Sequence, residues 1–458
     1  MINQNSLKKL HPTPAPKKHI SVHSPIGKVR KRSKEEYQKL KVIVHDDDFE
    51  ALELEWNEIA WKSDSHIFQT YEWNRIWWKH FGTKKKLHIV ALYSEDTLVG
   101  VAPLFEDDVT LFGRKVYSCL RFLGSYVSQP EGEPLAGNIS YSDYLDYIIY
   151  PGFEKIFYKK ILHYFKEIKS EFDEIIMDEV SEESATYNTM TPLLEMSNYG
   201  LSYKIEEASA SPVILLDSSW KAYLDSMNVK DRYNARRYFK RSKKGGKKAF
   251  EIKKIEHAEE LSDVLNEMIR MHQKQWNSRG FAGTFAEKRM LEFFIEISTS
   301  FYEKGWIEFN MAIPEETGVK FVAVDVFLTY KNRVYLMHRG MDEDSLYRKQ
   351  GPGNVLLYAR LNEAINDGVK VFDMLRGAEE FKLRMATRVN HNKKFIVRSG
   401  NSSRRSMPRL VKKYLKINRQ FRVEKNQIKT VFRDKPMIEG ITEYIQFLQR
   451  RIKHKLHS

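Results

Sequence analysis

Two stretches of this chain follow one plan, and that repetition constrains the fold more than any other feature. LHIVALYSEDTLVGVAPLFED, residues 87–107, is an apolar run, an acidic turn and a second apolar run. WIEFNMAIPEETGVKFVAVDVFLTY, residues 306–330, uses the same device. Apolar runs of this length bounded by turn residues form β-hairpins. Helical sequence precedes each, at 50–81 and 257–304, and a helix and an aspartate-bearing strand follow each: YKKILHYFKEIKSEFDEIIMDEV and NVLLYARLNEAINDGVKVFDMLRG. Strands and helices in this order build mixed sheets flanked by helices, so the class is α/β (α+β). A repeated order of elements predicts two similar units in tandem, residues 42–215 and 216–400.

The ends differ from this body. The net charge is +15, yet residues 1–41 hold eleven Lys or Arg against two Glu, and residues 401–458 hold sixteen against four acids. The middle is therefore net acidic, which argues against a dedicated nucleic-acid-binding protein. Residues 1–41, with HPTPAPKK and KVRKRSKEE, read as a disordered basic arm. Residues 401–458 read as a basic helical tail. There Ile438, Ile441, Ile445, Leu448, Ile452 and Leu456 share one helical face, suited to docking on the protein's own body or to peripheral contact with the inner face of a membrane. No apolar run approaches the roughly 20 residues that span a bilayer. One cysteine, Cys119, and no Cys/His cluster of zinc spacing point to a cytoplasmic protein without a bound metal. The aromatic run FQTYEWNRIWWKHFG, 68–82, is expected to pack a helix onto a sheet.

Two stretches invite an anion. In Arg348-Lys349-Gln350-Gly351-Pro352-Gly353-Asn354, glycines one residue apart let backbone approach a ligand, and a helix starting near Asn354 turns unpaired N–H groups outward. Pro352 suits a helix start but subtracts one amide from the cradle. Alone, this pattern is equally a tight turn. The basic run from Lys230 to Lys248 is either a solvated helix or a positive rim that steers a phosphate-bearing molecule.

The order strand, strand, glycine loop, helix, strand around residues 321–375 resembles the acyl-CoA-binding core of the Gcn5-related N-acetyltransferase superfamily. FQTYEWNRIWWKHFG, TLVGVAPLF, CLRFLG, DRYNARRYFKR, MHQKQWNSRG, GPG and VFDMLRGAEEFK are similar, in that order, to the BioF2-like acetyltransferase branch. That branch includes CelD-type proteins of polysaccharide gene sets and is related to the FemAB transferases. The resemblance covers about 45–395. It implies two acetyltransferase-like (GNAT-like) folds, with the donor site in the second and a degenerate first unit shaping the acceptor cleft. It further implies acetyl-CoA or another acyl-CoA as co-substrate, its pyrophosphate on the N–H groups of Gly351, Gly353 and Asn354, with Arg348 and Lys349 adding charge and Gln350 completing the loop. Arg376 and Lys382 match positions with structural or acceptor-binding roles.

Acyl transfer to an amine needs a held donor, a deprotonated amine and a hydrogen bond to the oxyanion. Three residues are candidate bases. Asp325 interrupts an apolar strand, where a carboxylate demands a partner or a raised pKa. His338 ends the next strand, and Glu379 follows the last one. A buried salt bridge, a strand-end histidine and a solvated acid are the plainer readings of the three. His272 and Trp276, one helical turn apart, are expected to pack together. The resulting reading is an acyl-CoA-dependent N-acyltransferase acting on an amino sugar or similar small amine, in polysaccharide biosynthesis. One alternative is a Fem-type transferase with aminoacyl-tRNA as donor; another is an inactive membrane-associated scaffold of a polysaccharide synthase system.

Overall fold

The computed structural model describes residues 40–111, 114–125, 142–196, 199–216, 219–243, 250–279, 281, 283–314 and 321–399. The basic tail and all but the end of the arm lie outside them.

The described chain opens with β1 (Leu40–His45), α1 (Glu53–Lys62) and α2 (Tyr71–Phe81). The hairpin β2 (Lys86–Ser94) and β3 (Thr97–Glu106) follows, then β4 (Val109–Leu111), β5 (Arg114–Tyr117), β6 (Cys119–Phe122) and β7 (Ile148–Ile149). Next come α3 (Glu154–Glu167), β8 (Glu174–Ser181), α4 (Thr191–Glu195) and β9 (Leu201–Leu215). The second half begins with α5 (Trp220–Ser226), α6 (Val229–Arg241), β10 (Phe250–Lys254), α7 (Ala258–Ser278) and α8 (Lys288–Glu303). It continues with β11 (Ile307–Pro314), β12 (Ala323–Tyr330), β13 (Arg333–Met341), α9 (Pro352–Asn366), β14 (Val371–Asp373), α10 (Glu380–Met385) and β15 (Arg388–Ser399).

The mixed α/β architecture expected from the hairpin pattern is what these elements form. Thirteen strands make one sheet in the order β1-β2-β3-β6-β8-β15-β9-β14-β13-β12-β11-β10, with β7 beside β3. Strands β6 and β8 run parallel through the crossover α3, and β13 and β14 run parallel through α9. Parallel neighbours require such a crossover, so the helix that follows each hairpin region is built in by topology. The same path is thus traced twice, and β15 is hydrogen-bonded to β8 on one side and β9 on the other.

The aromatic run behaves as core. Thr70 caps α2 by accepting from the Trp73 N–H, and Trp73 and Trp77 are fully buried. The Trp73 ring meets Phe293 of α8 edge-on at 5.3 Å. Residues of α2, α7, α8, β12 and β13 share one apolar cluster, so α7 and α8 cover one face of the second-half strands. On the other face, Leu357 and Leu361 of α9 pack with Phe327, Val334 and Phe372.

Candidate active site

The glycine loop is built for one purpose at each position. Arg348–Gln350 forms a single 3-10 turn, and the Gly351 N–H closes it on the Arg348 carbonyl at 3.0 Å. Gly351 has φ +71°, and a Cβ there would lie 2.6 Å from the Tyr238 ring of α6. Both conditions demand glycine. The Gly351 amide is therefore spent on the turn rather than offered to a ligand. Pro352 is the first residue of α9, and the first amide the helix pairs is Val355, onto Gly351 O at 3.1 Å. The Gly353 and Asn354 amides precede it, and no side chain caps them. Arg348 and Lys349 are exposed beside them. Arg241 of α6 donates to the Gln350 carbonyl, and Arg237 lies 4.8 Å above the Tyr238 ring. The part of the basic run that forms α6 thus borders the loop.

Beside the loop the sheet opens. β13 and β14 pair only over Arg333–Tyr335 and Val371–Asp373. Beyond that point β13 continues to Met341, whereas the chain after β14 follows β9, with Met374 N–H on Pro212 O and Gly377 N–H on Ala210 O. The register between β12 and β13 also slips at Val326/Phe327, so that Met337 is an extra residue between Leu336 and His338. A bulge of this kind leaves backbone groups outside the ladder. A strand edge parted from its neighbour, with helix α9 starting beside it, forms a wedge for an elongated ligand.

The three sequence candidates for a base occupy different environments. Asp325 is fully buried and held by Arg339, Nε to Oδ1 at 2.8 Å and Nη2 to Oδ2 at 2.7 Å. Burial pushes its carboxyl up despite that partner. Arg339 also donates to the Gly353 carbonyl at 3.1 Å, so this pair is tied to the loop. His338 sits on the opposite face of β13, among Phe285, Phe294 and His272, and loss of hydration drives its pKa down to about 3. A ring so reluctant to take a proton is a poor base. His272 accepts from Trp276 Nε1 at 2.9 Å, the packing expected of that pair. Glu379 is half-exposed and lies 3.2 Å from Lys382.

Arg376 and Lys382 are tied to each other and to the first half. Lys382 Nζ donates to the Arg376 carbonyl at 2.9 Å. The Arg376 guanidinium reaches into the first half, to Asp143 at 3.1 Å and Glu179 at 3.4 Å. Tyr144, Glu179 and Leu375, neighbours of these contacts, all hold left-handed backbone at φ +52°, +58° and +55°. Strain gathered in this way marks a place that the surrounding fold over-determines. Cys119, by contrast, is buried with its thiol pushed up to about 12, so it is not a nucleophile at neutral pH.

The point where β13 and β14 part contains residues that sequence spacing did not single out as a site. Tyr335 and Asp373 are the last register pair before the strands diverge. Tyr144 OH donates to Asp373 at 2.7 Å, and burial raises that carboxyl to about 6. His66 Nδ1 lies 3.1 Å from Tyr335 OH and stacks on Tyr144 at 4.1 Å. Asp373 was visible in the sequence only as a strand residue. Its partner Tyr144 lies 229 positions away and carries no local signal.

Residues 229–383, which span the basic helix, the wedge and the loop, match the model of the acetyltransferase (GNAT) domain. The crystal structure of FemX superposes with a TM-score of 0.52 at 12% identity, over 77% of this chain and 96% of FemX. A conserved protein of unknown function from Bacteroides thetaiotaomicron gives 0.48 at 11%, over 78% of this chain and 99% of that one. A tandem GNAT protein from the clavulanic acid biosynthesis pathway gives 0.40 at 11%, over 80% and 99%. No curated protein sequence matches. Residues 229–383 are thus similar to an acetyltransferase domain of the Gcn5-related type, on a fold shared with FemX, as the ordered motifs led us to expect. The narrower BioF2-like and CelD-type resemblance stands on those motifs alone.

Proposed function

We propose that the protein is an acyl-CoA-dependent N-acyltransferase. The observation that carries this reading is the wedge between β13 and β14, opening beside the uncapped Gly353 and Asn354 amides. A pyrophosphate on those amides, helped by Arg348, Lys349 and the basic face of α6, would leave a pantetheine arm to run along β13. The thioester would then reach the last strand pair, Tyr335 and Asp373. The amine nitrogen attacks the carbonyl carbon, and a backbone N–H at the Met337 bulge stabilises the oxyanion. As Tyr144 passes its hydroxyl proton to Asp373, its oxygen takes the proton of the attacking nitrogen. The C–S bond then breaks, and the leaving CoA thiolate takes up the proton that Asp373 received, returned through the Tyr144 hydroxyl. The first half, 42–215, supplies Tyr144 and His66 and so shapes the acceptor side, as the tandem division proposes. The acceptor we favour is an amino sugar or similar small amine, in polysaccharide assembly.

The test is thermal. Acetyl-CoA should raise the melting temperature of the full chain, and Gly353→Val, whose side chain would press on Arg339 only 3.4 Å from the new Cβ, should abolish the shift. No shift at millimolar acetyl-CoA sinks the reading. A second reading, an aminoacyl-tRNA donor, is favoured by the basic α6 beside the loop. Binding of bulk tRNA at low salt without any acetyl-CoA shift would select it.

A further inference from the structure

A cavity of about 320 Å³ lies behind the parting of the strands. Tyr144 and His66 line it, and the same two side chains contact Asp373 and Tyr335. The cavity and the wedge therefore share a wall. Its volume is at the low end of about 300 to 1,000 Å³ for small-molecule sites, which suits one ring rather than a nucleotide-linked sugar.

The lining asks for hydrogen-bond donors and a positive charge. Asp64 and Glu183 answer Arg333 and Arg388. Asp146 and Glu154 add two carboxylates to the lining, and the donors that Asp146 takes, the Thr186 and Ser184 hydroxyls and the Tyr147 N–H, are neutral. Burial holds the Asp146 carboxyl up at about 6, and among the described residues no Lys or Arg forms an ion pair with it. Asn390 lines the cavity as a residue 7% exposed, and its Oδ1 has no donor among the described residues. An orphaned buried acceptor is costly unless a ligand or water satisfies it. Serine hydroxyls at 63, 65, 181 and 184 complete a polar wall suited to a hydroxylated ring.

We infer that this cavity is the acceptor site and takes a monosaccharide-sized primary amine bearing hydroxyl groups. The acceptor role rests on the acyl-transfer reading above, but binding does not, and the two can be separated. Calorimetry on the full chain should detect glucosamine or galactosamine, with glucose at least tenfold weaker because it lacks the charge. Asp146→Asn should weaken glucosamine at least tenfold. Ala185→Trp, at an exposed lining position, should block the mouth without disturbing the core and do the same. Neither should change the acetyl-CoA melting shift. If acetyl-CoA stabilises the protein while neither amino sugar binds, or if Ala185→Trp leaves glucosamine affinity intact, the cavity assignment is overturned and the donor reading survives. If glucosamine binds as described and acetyl-CoA does not, the cavity stands as an amine site and the acyl-CoA reading falls.

Discussion

Arg339 meets Asp325 through both carboxylate oxygens across neighbouring strands, and the same guanidinium holds the Gly353 carbonyl of the loop. A buried carboxylate so engaged works as a brace. Asp325→Ala leaves Arg339 without its counter-charge, which costs about 3–5 kcal/mol. Urea denaturation should show that loss, and Asp325→Leu combined with Arg339→Met should recover most of it. A variant whose turnover collapses while its stability is untouched would instead make Asp325 the base.

The left-handed Gly351 makes a separate prediction. Gly351→Ala pays about 1–2 kcal/mol for its backbone and must also displace Tyr238. The acetyl-CoA melting shift should shrink with it, since the Gly353 and Asn354 amides follow directly. Adding Tyr238→Ala should return part of the stability but not the whole, because the backbone term remains.

At the end of the wedge, the Tyr144–Asp373 hydrogen bond predicts a kinetic signature. Tyr144→Phe and Asp373→Asn should each lower kcat about 10²–10⁴-fold, with the acetyl-CoA melting shift retained. The acid limb near pH 6 should vanish from the rate profile of Asp373→Asn. Rates within a few-fold of the parent enzyme would remove the relay.

His338 gives a pH-dependent stability. The folded ring takes its proton near pH 3, the unfolded one near 6.5, so between those values the unfolded chain binds the extra proton. The contribution is intact above about pH 6.5 and is lost as pH falls. His272, held at about 4, acts in the same direction, while Asp146 and Asp373, both raised to about 6, act in the opposite one. The comparison must therefore be with His338→Phe, whose ring suits the Phe285 and Phe294 surroundings. Relative to that variant the parent should lose about 1–2 kcal/mol between pH 6.5 and 5. Parallel stability curves would contradict this.

Much of the fold was legible because it rests on local pattern. The paired hairpins, the aromatic helix and the Gly-Pro-Gly helix start each declare themselves within one continuous stretch of sequence. What stayed hidden depends on strand register and on contacts between halves. Asp325 announced a need for a partner, but only the pairing of β12 with β13 shows that Arg339 meets it. The basic run hinted at a phosphate rim, and the docking of α6 brings Arg241 onto the loop. Asp373 resembled any strand aspartate until Tyr144 closed on it from the other half.

The central place of β15 has a consequence for synthesis. β8 and β9 have no hydrogen bonds to each other across the sheet; each waits for a strand that is translated after every other described element. A nascent chain would therefore carry two facing, unsealed strand edges until residue 399 leaves the ribosome. Any product of premature termination before Arg388 would keep those edges open, as a template for aggregation.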